Sequence, residues 1–331
     1  MKKTTYINSQ KFRSSIHAGF VALSLAIIPW GNLGFAQENV EMEVDLANME
    51  ESPQAHFGAP EELVNHLVIA VARADKEALE ILFGDKWTDL IPSDGLDPEA
   101  ADKFLSAWAM SNTLIPEDQT TRTLAVGANG WTFPVPIVLT EEGWGFDTDA
   151  GIDEVRSRQI GRNELSVMQA LLAYRDAQFE YSSMDRDGDG VVEYAQKVLS
   201  SPGAKDGLYW ETEEGSDDLS PLGPLFAEGG PDEGTYLGYR YRILTSQGES
   251  ADGGAQDYVV DGNMTGGFAL IAWPAEYDVT GVKSFIINQE GTIYESDLGP
   301  DGEAIVGEIE GFNPDESWSP VPVAFTDIDA L

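Results

Sequence analysis

An apolar periodicity of three to four residues dominates the chain as far as Met110, which is typical of amphipathic helices. One stripe on the first helix is formed by Val64, Leu67, Val68 and Val71. That helix begins near Pro60, the second follows Asp75 as N-cap, and the third starts near Ala100. The pattern predicts three short helices that share one core.

The periodicity changes to that of extended strands between Thr121 and Gly151. Asn129-Gly130 and Glu142-Gly143 predict turns between these strands. Pro134 and Pro136 cannot donate ladder hydrogen bonds, so we expect their strand to lie at a sheet edge. Helices followed by a meander predict a small α+β domain over residues 57–155.

The second half opens with the broad apolar face of a long helix from Arg162 to Ser183. A short helix from Val191 to Leu199 and several β-rich runs follow, with a turn at Gln289–Gly291. We expect an antiparallel sheet with the long helix packed across it and the tail from Asn313 docked on it. This is a second α+β domain, residues 156–331.

The amino terminus predicts export. Four cationic side chains precede a 13-residue apolar stretch, Ala18–Trp30, and small residues at Gly34 and Ala36 complete a Sec-type signal peptide over residues 1–36. A spanning helix needs about 20 apolar residues, so we expect no membrane insertion after cleavage near Ala36. Residues 37–56 then form a flexible acidic linker, and the mature chain is periplasmic or secreted.

Charge and composition exclude several chemistries. The net charge of −39 becomes −43 once the four cations of the signal are removed, so nucleic acid is not an expected partner. This charge fits either many weak cation sites or a solvated surface for salty surroundings. The chain has no cysteine, which excludes disulfides, thiol nucleophiles and thiolate metal sites.

Three aspartates form the clearest chemical motif. Asp185, Asp187 and Asp189 stand at positions 1, 3 and 5 of a D-x-D-x-D-G loop. This spacing brings carboxylates around one hard cation, with the Val191 carbonyl at position 7 and Glu193 at position 9. The motif predicts a structural Ca²⁺ site. Position 12 is Gln196 instead of the usual bidentate glutamate, so we expect modest affinity, about 10⁻⁴ to 10⁻³ M. The alternative is a turn in which Asp189 caps the following helix.

Four aromatic residues in Gly/Pro-rich connections are candidate ligand contacts, namely Tyr209, Trp210, Trp273 and Tyr277. If their rings are exposed, these residues can contact a ligand. If the rings are buried, the residues stabilise the fold instead. Glu211 beside Trp210 allows a second interpretation, a carboxylate hydrolase acting on cell-wall or other polysaccharide. No nucleophile elbow, phosphate-binding loop or metalloprotease motif supports catalysis.

Long motifs resemble the bacterial family named domain of unknown function 2950 (DUF2950). They include WTFPVPIVL, GWGFDTDAG, DRDGDGVVEYAQKVLSSPGAKDGLYW and GGFALIAWPAEYDVTGVKSFIINQEGTIYESDLGP, in order between Phe57 and Trp318. The resemblance implies an exported envelope protein and no transferable activity.

A second resemblance concerns the C-terminal half. NELSVMQALLAYRDAQFEY and AWPAEYDVTGVKSFIINQEGTI look like the helix and head strands of type IV pilins and pseudopilins. The resemblance implies a pilin-head-like module. The apolar assembly helix of pilins is replaced here by an α+β domain, so a filament role is not expected.

These observations together predict an exported, non-catalytic, calcium-stabilised protein of the cell envelope. It would act as an interaction or assembly module for an envelope protein or a glycan.

Overall fold

The computed structural model describes residues 54–91, 96–212, 219–223 and 235–322. All of these described residues belong to one compact unit. Its described part combines helices with antiparallel sheets, so the predicted α+β class is confirmed. The predicted signal peptide, residues 37–53 of the predicted linker and the last nine residues of the tail lie outside the described residues. No helix in the described ranges is long and apolar enough to cross a bilayer.

Helices precede a small sheet in the first half. The helices are α1 (Pro60–Arg73), α2 (Lys76–Phe83), α3 (Trp87–Leu90) and α4 (Pro98–Met110). The strands are β1 (Asn112–Pro116), β2 (Thr121–Val126), β3 (Trp131–Thr132), β4 (Ile137–Thr140) and β5 (Gly143–Phe146). The predicted cap is confirmed, because the side chain of Asp75 accepts a 3.0 Å hydrogen bond from Ala78 N–H. Leu63, Leu67 and Leu124 lie in a core between helices and sheet.

The strand order of this sheet is β1-β2-β4-β5, with β3 also paired to β2. The predicted edge position of the proline-flanked strand is wrong, because β4 pairs with both β2 and β5. Pro134 and Pro136 precede β4, where no ladder hydrogen bond is required of them.

A single long helix, α5 (Thr148–Tyr181), leads into the second half. It begins well before the predicted Arg162, because Asp147 caps it by accepting a 3.0 Å hydrogen bond from Ala150 N–H. The predicted boundary between residues 155 and 156 falls inside this helix. The division into two domains stays a prediction.

A second sheet, ordered β14-β13-β12-β11-β6, receives the apolar face of α5. The remaining elements are β6 (Tyr239–Leu244), β7 (Ser246–Gln247), β8 (Gln256–Asp257), β9 (Val259–Val260), β10 (Asn263–Met264), β11 (Ala269–Pro274), β12 (Ser284–Asn288), β13 (Tyr294–Ser296), α6 (Gly302–Glu308) and β14 (Ser319–Pro320). Leu171 and Tyr174 of α5 are fully buried. In the tail, Trp318 is buried and β14 pairs with β13.

Helix α6 is fixed to the sheet by two arginines of β6. Arg242 donates from Nη2 to the carbonyl oxygens of Val306 and Ile309, both at 2.6 Å, at the C-terminal end of the helix. Arg240 forms an ion pair with Glu303. A guanidinium suits this end of a helix, whose last carbonyls lack intrahelical partners.

Gly161 weakens the middle of α5. A Cβ added there would meet no atom within 4 Å, and the helix gives Gly161 no positive φ to require glycine. We expect Gly161→Ala to raise the free energy of unfolding by about 0.5–1 kcal/mol, since alanine is the better helix former. Urea denaturation followed by circular dichroism measures this.

Gly151 in the same helix provides the control. Its added Cβ would lie 2.8 Å from Cγ2 of Val135, so Gly151→Ala should lower stability. Stabilisation by both substitutions, or by neither, would contradict the open surroundings of Gly161 and the close contact between Gly151 and Val135.

Candidate functional site

The aspartate loop follows α5 directly. Asp185, Asp187 and Asp189 are exposed, and each offers a carboxylate oxygen within 4.8 Å of the others. Three like charges at this separation repel one another unless a cation or protons offset them. The structure therefore brings together the three predicted carboxylate ligands.

Backbone N–H groups fix the shape of the loop. Asp185 accepts hydrogen bonds from Gly188 N–H at 2.7 Å and Gly190 N–H at 3.0 Å. Both glycines have positive φ, 82° and 91°, which side-chain-bearing residues rarely adopt. Asp187 accepts a hydrogen bond from Asp189 N–H at 3.2 Å, and Asp189 accepts one from Val191 N–H at 2.7 Å. The positive φ of Gly190 explains why glycine stands at position 6 of the loop.

The segment after the loop differs from the prediction. No helix forms over Val191–Leu199, so both the predicted helix and its proposed capping by Asp189 are wrong. The segment is held instead by distant partners. Tyr194 N–H donates to Met264 O at 2.9 Å, and Leu199 is bridged to Tyr209. Tertiary contacts replace the local hydrogen bonds that a helix would have made.

Gln178 attaches this segment to α5. Its fully buried amide donates from Nε2 to Ala195 O and accepts from Ala195 N–H through Oε1, both at 2.8 Å. A second donation, to the hydroxyl of Tyr174 at 2.9 Å, orients the amide. The chain on the far side of the loop is therefore fixed to the same helix that enters it.

The β9–β10 hairpin contacts the loop from the other side. Asn263 donates from Nδ2 to Asp189 Oδ2 at 2.7 Å, and Gln196 donates to Gly262 O at 2.7 Å. Asn263 lies 74 residues beyond Asp189, and no sequence signal connects the two. Gln196, at position 12, faces the hairpin, so the structure gives it a partner other than an ion.

The two remaining predicted ligands, Glu193 and the Val191 carbonyl, are not part of the group of three carboxylates. The Oε2 of Glu193 accepts Met264 N–H at 2.7 Å. Burial raises the pKa of Glu193, and the charges of Asp187 and Asp189 raise it further, against the lowering effect of the Met264 hydrogen bond. Val191 is held by its N–H bond to Asp189. Its carbonyl remains a predicted ligand.

The same charges act on Tyr181 at the end of α5. Burial raises the pKa of the Tyr181 phenol to about 12, and the charges of Asp187 and Glu193 add to this effect. Tyr181 donates to Lys205 O at 2.8 Å. Arg186, inside the loop, donates to Tyr181 O at 3.1 Å and lies 5.3 Å from the ring centre of Trp210.

The candidate aromatic contacts separate into two places. Trp210 is 6% exposed and packs in the second core, whereas Tyr209 and Glu211 line a shallow groove of about 530 Å³. Among the described residues lining this groove, Glu211 is the only carboxylate. Trp273 and Tyr277 lie at the end of β11 and line a separate cavity of about 70 Å³.

Comparison with known proteins identifies a family. A family model described as "Protein of unknown function (DUF2950)" matches residues 54–321, most of the chain. No curated protein and no solved structure matches. The chain therefore belongs to the DUF2950 family.

Proposed function

We propose that this protein is an exported, non-catalytic component of the cell envelope, an interaction or assembly module in which Ca²⁺ stabilises the aspartate loop. The convergence of three carboxylates within 4.8 Å carries the calcium part of the proposal. The signal-like amino terminus supports export.

Calcium fits this loop better than a smaller ion. Ca²⁺ accepts six to eight oxygen ligands in flexible geometry, whereas Mg²⁺ demands a near-ideal octahedron. Asp185, Asp187 and Asp189 would supply the charge, and the Val191 carbonyl would be a fourth protein ligand. Glu193, whose Oε2 accepts Met264 N–H, would act through a water, as position 9 of such loops often does. Gln196 bonds to Gly262 instead of closing the site, which supports modest affinity.

The ion would have a structural role. The loop joins α5 to the segment that Gln178 and Met264 hold, and Asn263 adds a link to the β9–β10 hairpin. Neutralising the carboxylates would stabilise all three elements in one arrangement.

We propose further that the C-terminal half is a pilin-head-like module, on the basis of its resemblance to pilins and of the contacts of Asn163 and Glu164, the Asn-Glu pair in the quoted helix motif. Asn163 of α5 donates from Nδ2 to Thr280 O at 2.8 Å. Glu164 Oε1 accepts N–H groups from Val282 at 3.0 Å and Lys283 at 2.9 Å. The Asn-Glu pair thereby ties α5 to the Thr-Gly-Val turn of the sheet.

The hydrolase alternative receives less support. Trp210 has no free ring face for a sugar, and the described groove residues supply one carboxylate where a glycosidase needs two. We therefore favour the non-catalytic proposal.

Calorimetric titration tests the calcium part directly. Residues 37–331 should bind one Ca²⁺ with a dissociation constant of about 10⁻⁴ to 10⁻³ M. The double variant Asp187→Ala plus Asp189→Ala should abolish the binding heat. The control Asp85→Ala plus Asp102→Ala should keep the binding heat, because it removes the same charge away from the loop. Equal binding by both variants would mean diffuse attraction to an acidic surface.

A further inference from the structure

Two residues that line the cavity at the end of β11 carry polar groups with no hydrogen-bond partner among the described residues. The indole Nε1 of Trp273 is buried, and no described residue hydrogen-bonds to it. Ser284 is 1% exposed, and its hydroxyl has no hydrogen-bond partner among the described residues. Both residues line the cavity of about 70 Å³. Buried polar groups are normally satisfied, so this pair indicates an occupant that supplies the missing hydrogen bonds.

Sheet register places the two groups side by side. Ala272 pairs with Phe285, so Trp273 and Ser284 occupy the next opposed positions on β11 and β12. Opposed residues of an antiparallel pair project from the same face. Ile286, two residues along β12, lines the neighbouring cavity beneath α6, so this is the α6 face of the sheet.

The chemistry of the two groups defines the ligand. An indole N–H only donates, so the occupant must present an acceptor oxygen, while the Ser284 hydroxyl can accept a ligand N–H. The other walls include Pro274, Val282 and Pro300, which suit an aliphatic group. The volume holds about two waters or a group of a few heavy atoms, and is too small for a whole sugar ring.

Surrounding charge selects a neutral ligand. Glu303 lines the cavity but is paired with Arg240, whereas Asp297 accepts a 3.2 Å hydrogen bond from the phenol of Tyr277 at the wall. On a chain of net charge −39, the Asp297 carboxylate disfavours a carboxylate or phosphate ligand. The same Asp297 bond holds the partly exposed ring of Tyr277 in place, where it can contact the face of a sugar.

The backbone around the cavity disfavours an extended peptide. Ala275 N–H donates to Gly238 O, Gly302 N–H to Gly299 O, and Gly299 N–H to Asp297, so these donors are already used within the protein. Peptide recognition by strand addition depends on free main-chain groups. Side-chain recognition of a small neutral group fits the cavity better.

We propose that this cavity binds the acetamido group of an N-acetylated amino sugar in an envelope glycan. The Trp273 indole N–H donates to the acetamido oxygen, Ser284 accepts the acetamido N–H, and the methyl group packs against the apolar walls. The inference deepens the proposed function by naming the partner class. It rests on the proposed export and is independent of the calcium loop.

Indole N–H resonances of ¹⁵N-labelled residues 37–331 test the proposal. The Trp273 signal, assigned with Trp273→Phe among the seven tryptophans of residues 37–331, should shift on titration with tri-N-acetylchitotriose. Cellotriose, which carries hydroxyls in place of the acetamido groups, should leave it unchanged. Ser284→Ala should weaken binding about threefold to tenfold through loss of one hydrogen bond. Ser296→Ala should not, since Ser296 faces Ser284 across β12 and β13 without lining the cavity.

Three outcomes would overturn the proposal. The first is no Trp273 shift with any probe, which would leave water as the occupant. The second is an equal shift with cellotriose. The third is a shift with N-acetylprolinamide and none with the chitotriose, which would assign the cavity to peptides. Melting of the same samples with and without Ca²⁺ keeps failure here distinguishable from failure of the calcium proposal.

Discussion

Trp210→Ala is expected to lower the free energy of unfolding by about 3–5 kcal/mol, the range for truncating a buried tryptophan. The side chain is 6% exposed and lies in the second core. Arg186 and Lys205 also lie over its ring, at 5.3 and 5.6 Å from the centre. Urea denaturation followed by circular dichroism measures the loss.

Trp131→Ala is the matched control. Trp131 is 49% exposed on β3, so its removal should cost about 1 kcal/mol or less. Equal losses for the two variants would contradict the burial of Trp210. A small loss at Trp210 would also return this residue to the candidate ligand contacts beside Glu211.

Gln178→Met is expected to destabilise the protein by about 2–5 kcal/mol. The substitution leaves Ala195 N–H and Ala195 O without their partner in the core, and each unsatisfied buried group costs about 1–3 kcal/mol. Methionine nearly conserves the side-chain volume, so a cavity contributes little. Hydrogen exchange should show faster opening of the Ala195 amide.

Gln169→Met on the same helix separates this effect from the loss of any amide. The Nε2 of Gln169 is buried and has no partner in the described part of the chain, so its replacement should be neutral or stabilise the protein by up to about 1 kcal/mol. Destabilisation of similar size at both positions would contradict the role of Gln178 as the link between α5 and the segment after the loop.

Local signals predicted much of the fold. The Asp75 cap, the turn at Gln289–Gly291 and the apolar face of α5 are properties of neighbouring residues, and each appears as expected. The start of α5 could not be predicted from apolar spacing because its first turns carry few apolar residues. The available sequence signal was Asp147, a residue type that caps helices, whose side chain accepts the hydrogen bond from Ala150 N–H.

Contacts between distant residues account for the failures. Val191–Leu199 has an amphipathic pattern, yet Gln178 and Met264 hold it extended, because burial and long-range pairing outweigh a weak helical tendency. Within the site, spacing alone predicts the three aspartates. Asn263 and the Trp273–Ser284 pair depend on chain folding and leave no local pattern.

Thermal unfolding of residues 37–331 in about 0.15 M salt, with 10 mM Ca²⁺ or with chelator, tests the calcium-stabilised loop most directly. For a dissociation constant near 10⁻⁴ M, calcium at about 100 times this value adds about 2.7 kcal/mol, which corresponds to a rise in melting temperature of about 5 °C. We expect this rise in the wild type and in the charge-matched Asp85→Ala plus Asp102→Ala variant. It should be absent from Asp187→Ala plus Asp189→Ala, and Mg²⁺ should not reproduce it. No rise in the wild type, or the same rise in both variants, would show that the three aspartates form a turn without a bound ion.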